Sequence, residues 1–422
     1  MRRIIRAGRL AAMRPMEPAT VERDRWILIE NGLISAVTSD RGDFDAEVID
    51  WRDRLVLPGL VNAHTHLELS HHRPPADQPG HLAQWLLGVR PTTAEQAAAS
   101  AAAGASESLL FGVTTVGDIT AFPAATRAAW SGESPRRGAS RGSVTGPESA
   151  ASLRSLNVVS FGEVRAMATR RDQIDHQLPA ALADGGAVSP HAPYSVEPQS
   201  YRWCLAAAEQ RGVPLATHLA ETREEADFLR DHAGPFRQLW ETIGGWDDDV
   251  PTFDGSPLAF AKHLGLLDAA VPVVLAHGNY LEPGDLDHLA AGRASVAYCP
   301  RTHAYFGHDP HPLVELLARG INVCLGTDSR ASSPDLDLLA EVRHVHEHRP
   351  DVDISTIWSM ATWRGAAALG LTGVAGSVAP GCRADLLALS DPSGDAPLAT
   401  VLQDIGHRTV LCSGEEPSRL SR

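Results

Sequence analysis

Leu57-Pro58-Gly59-Leu60-Val61-Asn62-Ala63-His64-Thr65-His66-Leu67-Glu68-Leu69 is the stretch on which the fold turns. An apolar run of strand-forming residues leads into two histidines one residue apart. Positions i and i+2 of a strand project to the same face, so both imidazoles can reach one cation. A lone His-x-His pair arises by chance on many surfaces. It gains meaning when further ligands stand at the ends of later strands.

Downstream, short apolar runs alternate with helix-like stretches, the pattern of repeated βα units and a parallel sheet. Eight strands are predicted, beginning near Leu60, Thr114, Asn157, Ala187, Pro214, Pro272, Ser295 and Asn322. Helices are predicted between most of them, among them Gln199 to Gln210, Arg223 to His232, Pro312 to Arg319 and Leu336 to His348. Eight such units close into a (β/α)8 TIM barrel, an α/β fold whose active site lies on the loops after the carboxyl ends of the strands.

Those carboxyl ends carry an uneven set of residue types. His64 and His66 follow strand one, Ser189-Pro190-His191-Ala192-Pro193-Tyr194 strand four, and Thr217-His218-Leu219-Ala220-Glu221 strand five. Strand six ends in Ala276-His277-Gly278-Asn279 and strand eight in Gly326-Thr327-Asp328-Ser329. Three imidazoles and a carboxylate make a nitrogen and oxygen set suited to one divalent cation, Zn²⁺ or alternatively Fe²⁺, with a position left for water. His64, His66, His218 and Asp328 are the assigned ligands. Water on such a cation has its pKa lowered to about 7 and becomes a hydroxide nucleophile. Asp328 can also accept a hydrogen bond from that water. Glu221 then moves the water proton to the leaving group, and His277 orients the hydroxide or polarises the reacting bond.

Taken singly, each residue has a blander role. A strand-end histidine is commonly just a hydrogen-bonded polar residue, and an Asp before Ser is often a helix cap. The joint pattern carries the metal reading. His71, His72, His81, His232, His288, His344, His346 and His348 fall in loop or helix contexts and read as solvated.

The order HxH, HxxE, a later His and GTDS resembles the amidohydrolase superfamily. More narrowly it is similar to the branch containing cytosine, guanine, adenosylhomocysteine and aminofutalosine deaminases and the triazine chlorohydrolases. Pro58-Gly59-Leu60-Val61-Asn62-Ala63-His64-Thr65-His66, the Ser189 to Tyr194 block and the closing Gly381-x-x-Ala384-Asp385-Leu386 match that branch too. The resemblance covers nearly the whole chain except residues 131–152. It implies one catalytic metal and hydrolytic attack on a ring carbon bearing an amino group or a halide. It also implies a heterocyclic small-molecule substrate, purine-, pyrimidine- or nucleoside-like, and a homodimer, since relatives are often dimers. Many binuclear members bridge two metals with a carbamylated lysine on a barrel strand. The one lysine here, Lys262, lies in a helix-like stretch, so that bridge has no residue to form it. Glu163, after strand three, stands where some deacetylases of the superfamily place a metal ligand, and its expected role is to orient ligands or substrate.

Substrate contacts are expected from His191 and Tyr194 on the strand-four rim. Glu68 and Trp85 follow strand one, where relatives place polar and aromatic contacts to a purine or its sugar, although Trp85 could equally be core. The stretch Tyr298 to Phe306 resembles a pocket wall of the family, with Thr302-His303 in place of the Ser-Asn of many deaminases. Arg301 and His303 are therefore candidate substrate residues, with an ion-pair role open for Arg301. The expected reaction is deamination with release of ammonia, because an amino leaving group needs a proton delivered to it and HxxE supplies the glutamate. A chlorohydrolase or amide hydrolase on the same scaffold is the alternative, and a non-catalytic binding barrel is disfavoured by the filled ligand positions.

At 422 residues the chain exceeds one compact domain. Residues 57–370 are assigned to the barrel; 1–56 and 371–422, each too poor in strands to stand alone, are expected to pair into one small β-sandwich. Trp26-Ile27-Leu28-Ile29 before Asn31-Gly32 gives a hairpin signal. Residues 131–152, rich in Ser, Gly, Pro and Arg, read as a flexible insertion. A formal net charge of −15 opposes nucleic acid and anionic membrane as partners. The basic start, Met1 to Arg6, leads to no export signal, and no stretch is long enough to span a bilayer. Five scattered cysteines without CxxC spacing read as the reduced thiols of a cytoplasmic protein.

Overall fold

In the computed structural model the described residues are 2–74, 81–89, 93–131, 155–391, 394, 398–399, 402 and 408–417. The predicted insertion, after its first residue, lies outside them. Four strands open the chain: β1 (Arg2–Ala11), β2 (Val21–Glu30), β3 (Leu33–Thr38) and β4 (Glu47–Pro58). β2 and β3 form an antiparallel hairpin whose turn residues Asn31 and Gly32 both take positive φ, +51° and +78°. That is the backbone a two-residue hairpin requires.

The barrel strands follow as β5 (Leu60–Thr65), β6 (Val113–Thr120), β7 (Asn157–Val164), β8 (Ala187–Pro190), β9 (Leu215–Leu219), β10 (Val273–His277), β11 (Ser295–Tyr298) and β12 (Val323–Leu325). They are hydrogen-bonded in sequence order, all parallel. The predicted helices lie between them at Pro198–Arg211, Glu224–Asp231 and Leu313–Ala318, and after β12 at Leu338–His348. β13 (Leu386–Ser390) then pairs antiparallel with β4, and β14 (Arg408–Leu411) with β13, so both ends of the chain share one six-stranded sheet in the order β14-β13-β4-β1-β2-β3.

The opening motif does two jobs that the sequence pattern ran together. Its apolar run is two strands in different sheets, and Gly59 is the joint between β4 and β5. A Cβ there would lie 2.2 Å from the Thr114 hydroxyl, so only glycine lets β5 pass so close to β6. Asn62 closes the barrel. Its side chain donates to Thr327 Oγ1 at 2.8 Å and accepts from the Thr327 amide at 3.1 Å. Beside it, Asp328 N donates to the His64 carbonyl and Thr65 Oγ1 to the Asp328 carbonyl. The seam between the first and last strands therefore runs through the same few residues that carry the candidate ligands.

Small strand residues, Ala187, Ala216, Ala297 and Cys324, cluster with Val61, Phe161 and Val274 against Ala366 and Leu369 near the helix Trp363–Ala368. Larger side chains such as Leu60, Val116, Leu215, Leu275 and Val296 join the main core with Tyr201, Phe260 and Trp358. Burying each such side chain contributes about 1.5–3 kcal/mol. Among the described residues no helix is long and apolar enough to cross a membrane.

Candidate active site

The strand ends bring His64, His66, His218, His277 and Asp328 together. Ring centroids of His64 lie 5.1 Å from His66, 5.0 Å from His218 and 5.3 Å from His277. Asp328 Oδ1 is 3.8 Å from Nε2 of both His64 and His66. Potential ligand atoms of His64, His66 and His218 all lie within 4.8 Å of one another, as do those of His64, His277 and Asp328.

Hydrogen bonding shows why this cluster fits a cation. His218 Nδ1 is 2.9 Å from the His191 carbonyl, and the His66 ring is bonded to the Ile119 carbonyl, so each ring commits its N–H to the backbone. Their Nε2 atoms nevertheless face each other at 3.2 Å. Two lone pairs pointed at one another need a positive charge between them. His64 Nε2 is buried beside them without a hydrogen-bond partner among the described residues. Burial and the neighbouring rings hold His64, His66 and His277 well below the ordinary imidazole value, which keeps the lone pairs free. Backbone anchors of this kind fix the tautomer and aim of metal-binding imidazoles.

Glu221 borders the cluster, with Oε1 3.6 Å from His277 Nε2. Burial first, then Asp328 and Glu225, pushes its carboxyl well above the usual range. Burial pushes Asp328 up to about 6, opposed by hydrogen bonds from the Ser329 amide and Ser332 hydroxyl. His66, His218, His277, Glu221 and Asp328 line a cavity of about 450 Å³. Its walls include Glu68, Trp85, His191 and Tyr194. Glu68 accepts from Thr120 Oγ1 at 2.5 Å and the Ala121 amide at 3.1 Å. His191 Nδ1 meets Ser195 Oγ at 2.6 Å, Tyr194 stacks on Phe236 at 3.9 Å, and Trp85 meets Phe306 edge-on at 5.5 Å.

Two expected substrate residues do not reach the cavity. Arg301 turns away: Nε bonds Glu341 at 2.6 Å, a terminal nitrogen bonds Asp335 at 2.8 Å, and its backbone N–H donates to Glu341 at 3.0 Å. Its side chain is 13% exposed and that of Glu341 0%. Arg301 thus stands in an ion-pair geometry with Asp335 and Glu341. His303 likewise bonds the Asp309 carbonyl through Nε2 at 2.8 Å instead of facing the cavity. From that stretch Phe306 supplies the wall. Arg301→Ala is expected to destabilise the fold by about 3–5 kcal/mol, because it strands Glu341 in the interior. Denaturant titration measures the loss, and turnover at 25 °C should stay near wild type.

Sequence reasoning passed over three groups. Arg165 bonds Glu163 at 2.8 Å and is one of the residues lining the cavity. Glu163 is thereby ion-paired and joins neither candidate ligand group among the described residues. Glu225 accepts from the amides of Ala220 and Glu221, at 3.1 and 2.7 Å, and so pins the HxxE turn. Asp118 accepts from the Leu67 amide at 2.8 Å and holds the chain just past His66. The Glu221 to Glu225 spacing was the one available signal; nothing marked the other two.

Comparison with known proteins agrees with this geometry. The model of the amidohydrolase family matches residues 55–416. The 5-methylthioadenosine/S-adenosylhomocysteine deaminase of Nitratidesulfovibrio vulgaris is 32% identical over 391 residues, which span 88% of this chain and 80% of that protein. The 5'-deoxyadenosine deaminase of Methanothrix thermoacetophila is 31% identical over 322 residues, 75% of this chain and 68% of its own length. Among solved structures, an adenosine deaminase from Xanthomonas campestris with bound zinc superimposes with a TM-score of 0.78 at 23% identity, covering 98% of this chain and 92% of the other. That last likeness is one of fold. With the family model spanning most of its length and these relatives aligned along it, the chain belongs to the amidohydrolase family, whose members are hydrolases.

Proposed function

We propose that this chain is a mononuclear zinc aminohydrolase that deaminates a purine-nucleoside-like heterocycle and releases ammonia. One observation carries the reading: Nε2 lone pairs converge beside the buried carboxyl of Glu221, 3.6 Å from His277, which burial pushes well above the usual carboxylate range. His64, His66, His218 and Asp328 would hold the cation, and a nitrogen-rich set of this kind suits zinc. When bound, the cation lowers the pKa of a coordinated water to about 7. Lys262 lies exposed on the helix Pro257–His263 beside His288, which supports a single metal.

The chain's own groups account for the protons. Water adds to the ring carbon bearing the amino group, and Asp328 accepts a hydrogen bond from it. Glu221 transfers the proton to the amino nitrogen, so that a C–O bond forms, the C–N bond breaks and ammonia leaves. His277, beside Glu221, orients the attacking oxygen. Glu68, Trp85, His191 and Tyr194 seat the heterocycle and its substituent, with water displaced from the apolar wall. The deaminases among its relatives support the substrate class. Five free, buried thiols favour the reducing cytoplasm.

Adenosine, 5'-methylthioadenosine, guanine, cytosine and a chlorotriazine, each incubated with zinc-loaded protein, test the proposal. Ammonia from a purine nucleoside is expected. Chloride alone, or no product from any of the five, would overturn it.

A further inference from the structure

His277 presents its ring to the cluster from a backbone conformation that residues with a side chain avoid: its φ is +75°. Such positions cost on the order of 1–3 kcal/mol and persist only where the surroundings fix them. Here part of the fixing comes from a loop 34 residues further on. His311 Nε2 lies 3.0 Å from the His277 carbonyl and donates to it. His311 is buried, and its ring stacks on Tyr298 with centroids 4.0 Å apart at 26°. Pro310 and Pro312 flank it and restrict its backbone. Its own carbonyl accepts from Arg349 at 3.0 Å. Its Nδ1 is buried and has no hydrogen-bond partner among the described residues, so the ring is neutral and its single N–H is committed to His277. Burial pushes His311 down to about 3, which leaves this donor unchanged across the working pH range.

The geometry points to His311 as a positioning residue for the reaction proposed above: by gripping the His277 carbonyl it keeps the His277 ring over His218, 5.6 Å between centroids, and within 3.6 Å of Glu221. The inference rests on the reading of His277 as an active-site group. His311 itself does not line the cavity.

Two substitutions separate positioning from packing. His311→Phe keeps a ring to stack on Tyr298 and removes the N–H. His311→Gln gives up the ring and can place an amide N–H where Nε2 stood. If His311 positions His277, the Phe variant suffers and the Gln variant recovers; if it only fills space, the order reverses.

The experiment measures kcat and KM for ammonia release from 5'-methylthioadenosine by the zinc-loaded wild type and both variants, with melting temperatures and crystal structures of all three. For His311→Phe the expected result is a kcat lowered about 100-fold, the size of effect that a misplacement near 1 Å produces, with KM and melting temperature little changed and the His277 ring displaced. His311→Gln should recover most of that loss. Wild-type kcat in the Phe variant, or equal impairment of both variants with His277 unmoved, overturns the inference. Should the wild type release no ammonia, the proposed function fails on its own account. The crystal structures then still decide the role of His311: a His277 φ and ring unchanged in His311→Phe end it, and a displaced ring sustains it.

Discussion

Glu221→Gln is expected to purify with the wild-type zinc content and to lose about 10²–10⁴-fold in kcat, the usual contribution of a positioned acid or base. The substitution is nearly isosteric and leaves the surroundings intact. The main chain of Glu221 is held independently of its carboxyl, by Glu225 at its amide and by Asn279 at its carbonyl, 2.7 and 3.0 Å away. The carboxyl belongs to neither group of potential metal ligands. What the amide cannot do is give up a proton and take it back. Elemental analysis of the purified protein, run beside ammonia release from a purine nucleoside, measures both halves of the expectation. Turnover close to wild type with zinc in place would remove Glu221 from the proton path. Loss of zinc along with turnover would instead make it part of the metal site.

That prediction draws on residues visible in the sequence, and it is instructive which ones were. HxH, HxxE, His277 and Asp328 were legible because strand ends in a parallel barrel all open on one rim, so residue type and position suffice to place them. The eight strands were legible because each is a short apolar run bounded by turn residues. The joint at Gly59 was hidden, since a run that crosses from one sheet to another stays apolar throughout. Asn62 was hidden for a different reason: its partner Thr327 is 265 residues away, and nothing local announces the seam it closes. For Arg301 the sequence left two directions open, toward substrate or toward an ion pair. Glu341, on the helix Leu338–His348, captures it, and only the packing of that helix against the strand-seven loop reveals so. Arg165 passed unnoticed because an arginine in a loop ordinarily faces solvent, whereas this one faces the cavity.

His218→Ala is expected to lose both metal and turnover. It removes one of three converging nitrogens and the Nδ1 bond to the His191 carbonyl at 2.9 Å, while the main-chain N–H keeps its own bond to that carbonyl at 2.8 Å. His64, His66 and Asp328 would remain, too few to complete the set proposed for zinc. Because a cation that binds only the folded chain stabilises it by mass action, melting temperature reports occupancy without reference to any substrate. Exhaustive chelation of the wild type should therefore lower its melting temperature and abolish turnover, and added zinc should restore both. The His218→Ala protein should melt near the chelated wild type, and neither chelator nor zinc should move it at concentrations that act on the wild type. Loss of turnover with normal zinc uptake would reassign His218 from ligand to ligand support. Full wild-type activity after chelation would end the metal reading altogether, since the lone pairs that face one another at 3.2 Å would then have to be reconciled by a proton between His66 and His218.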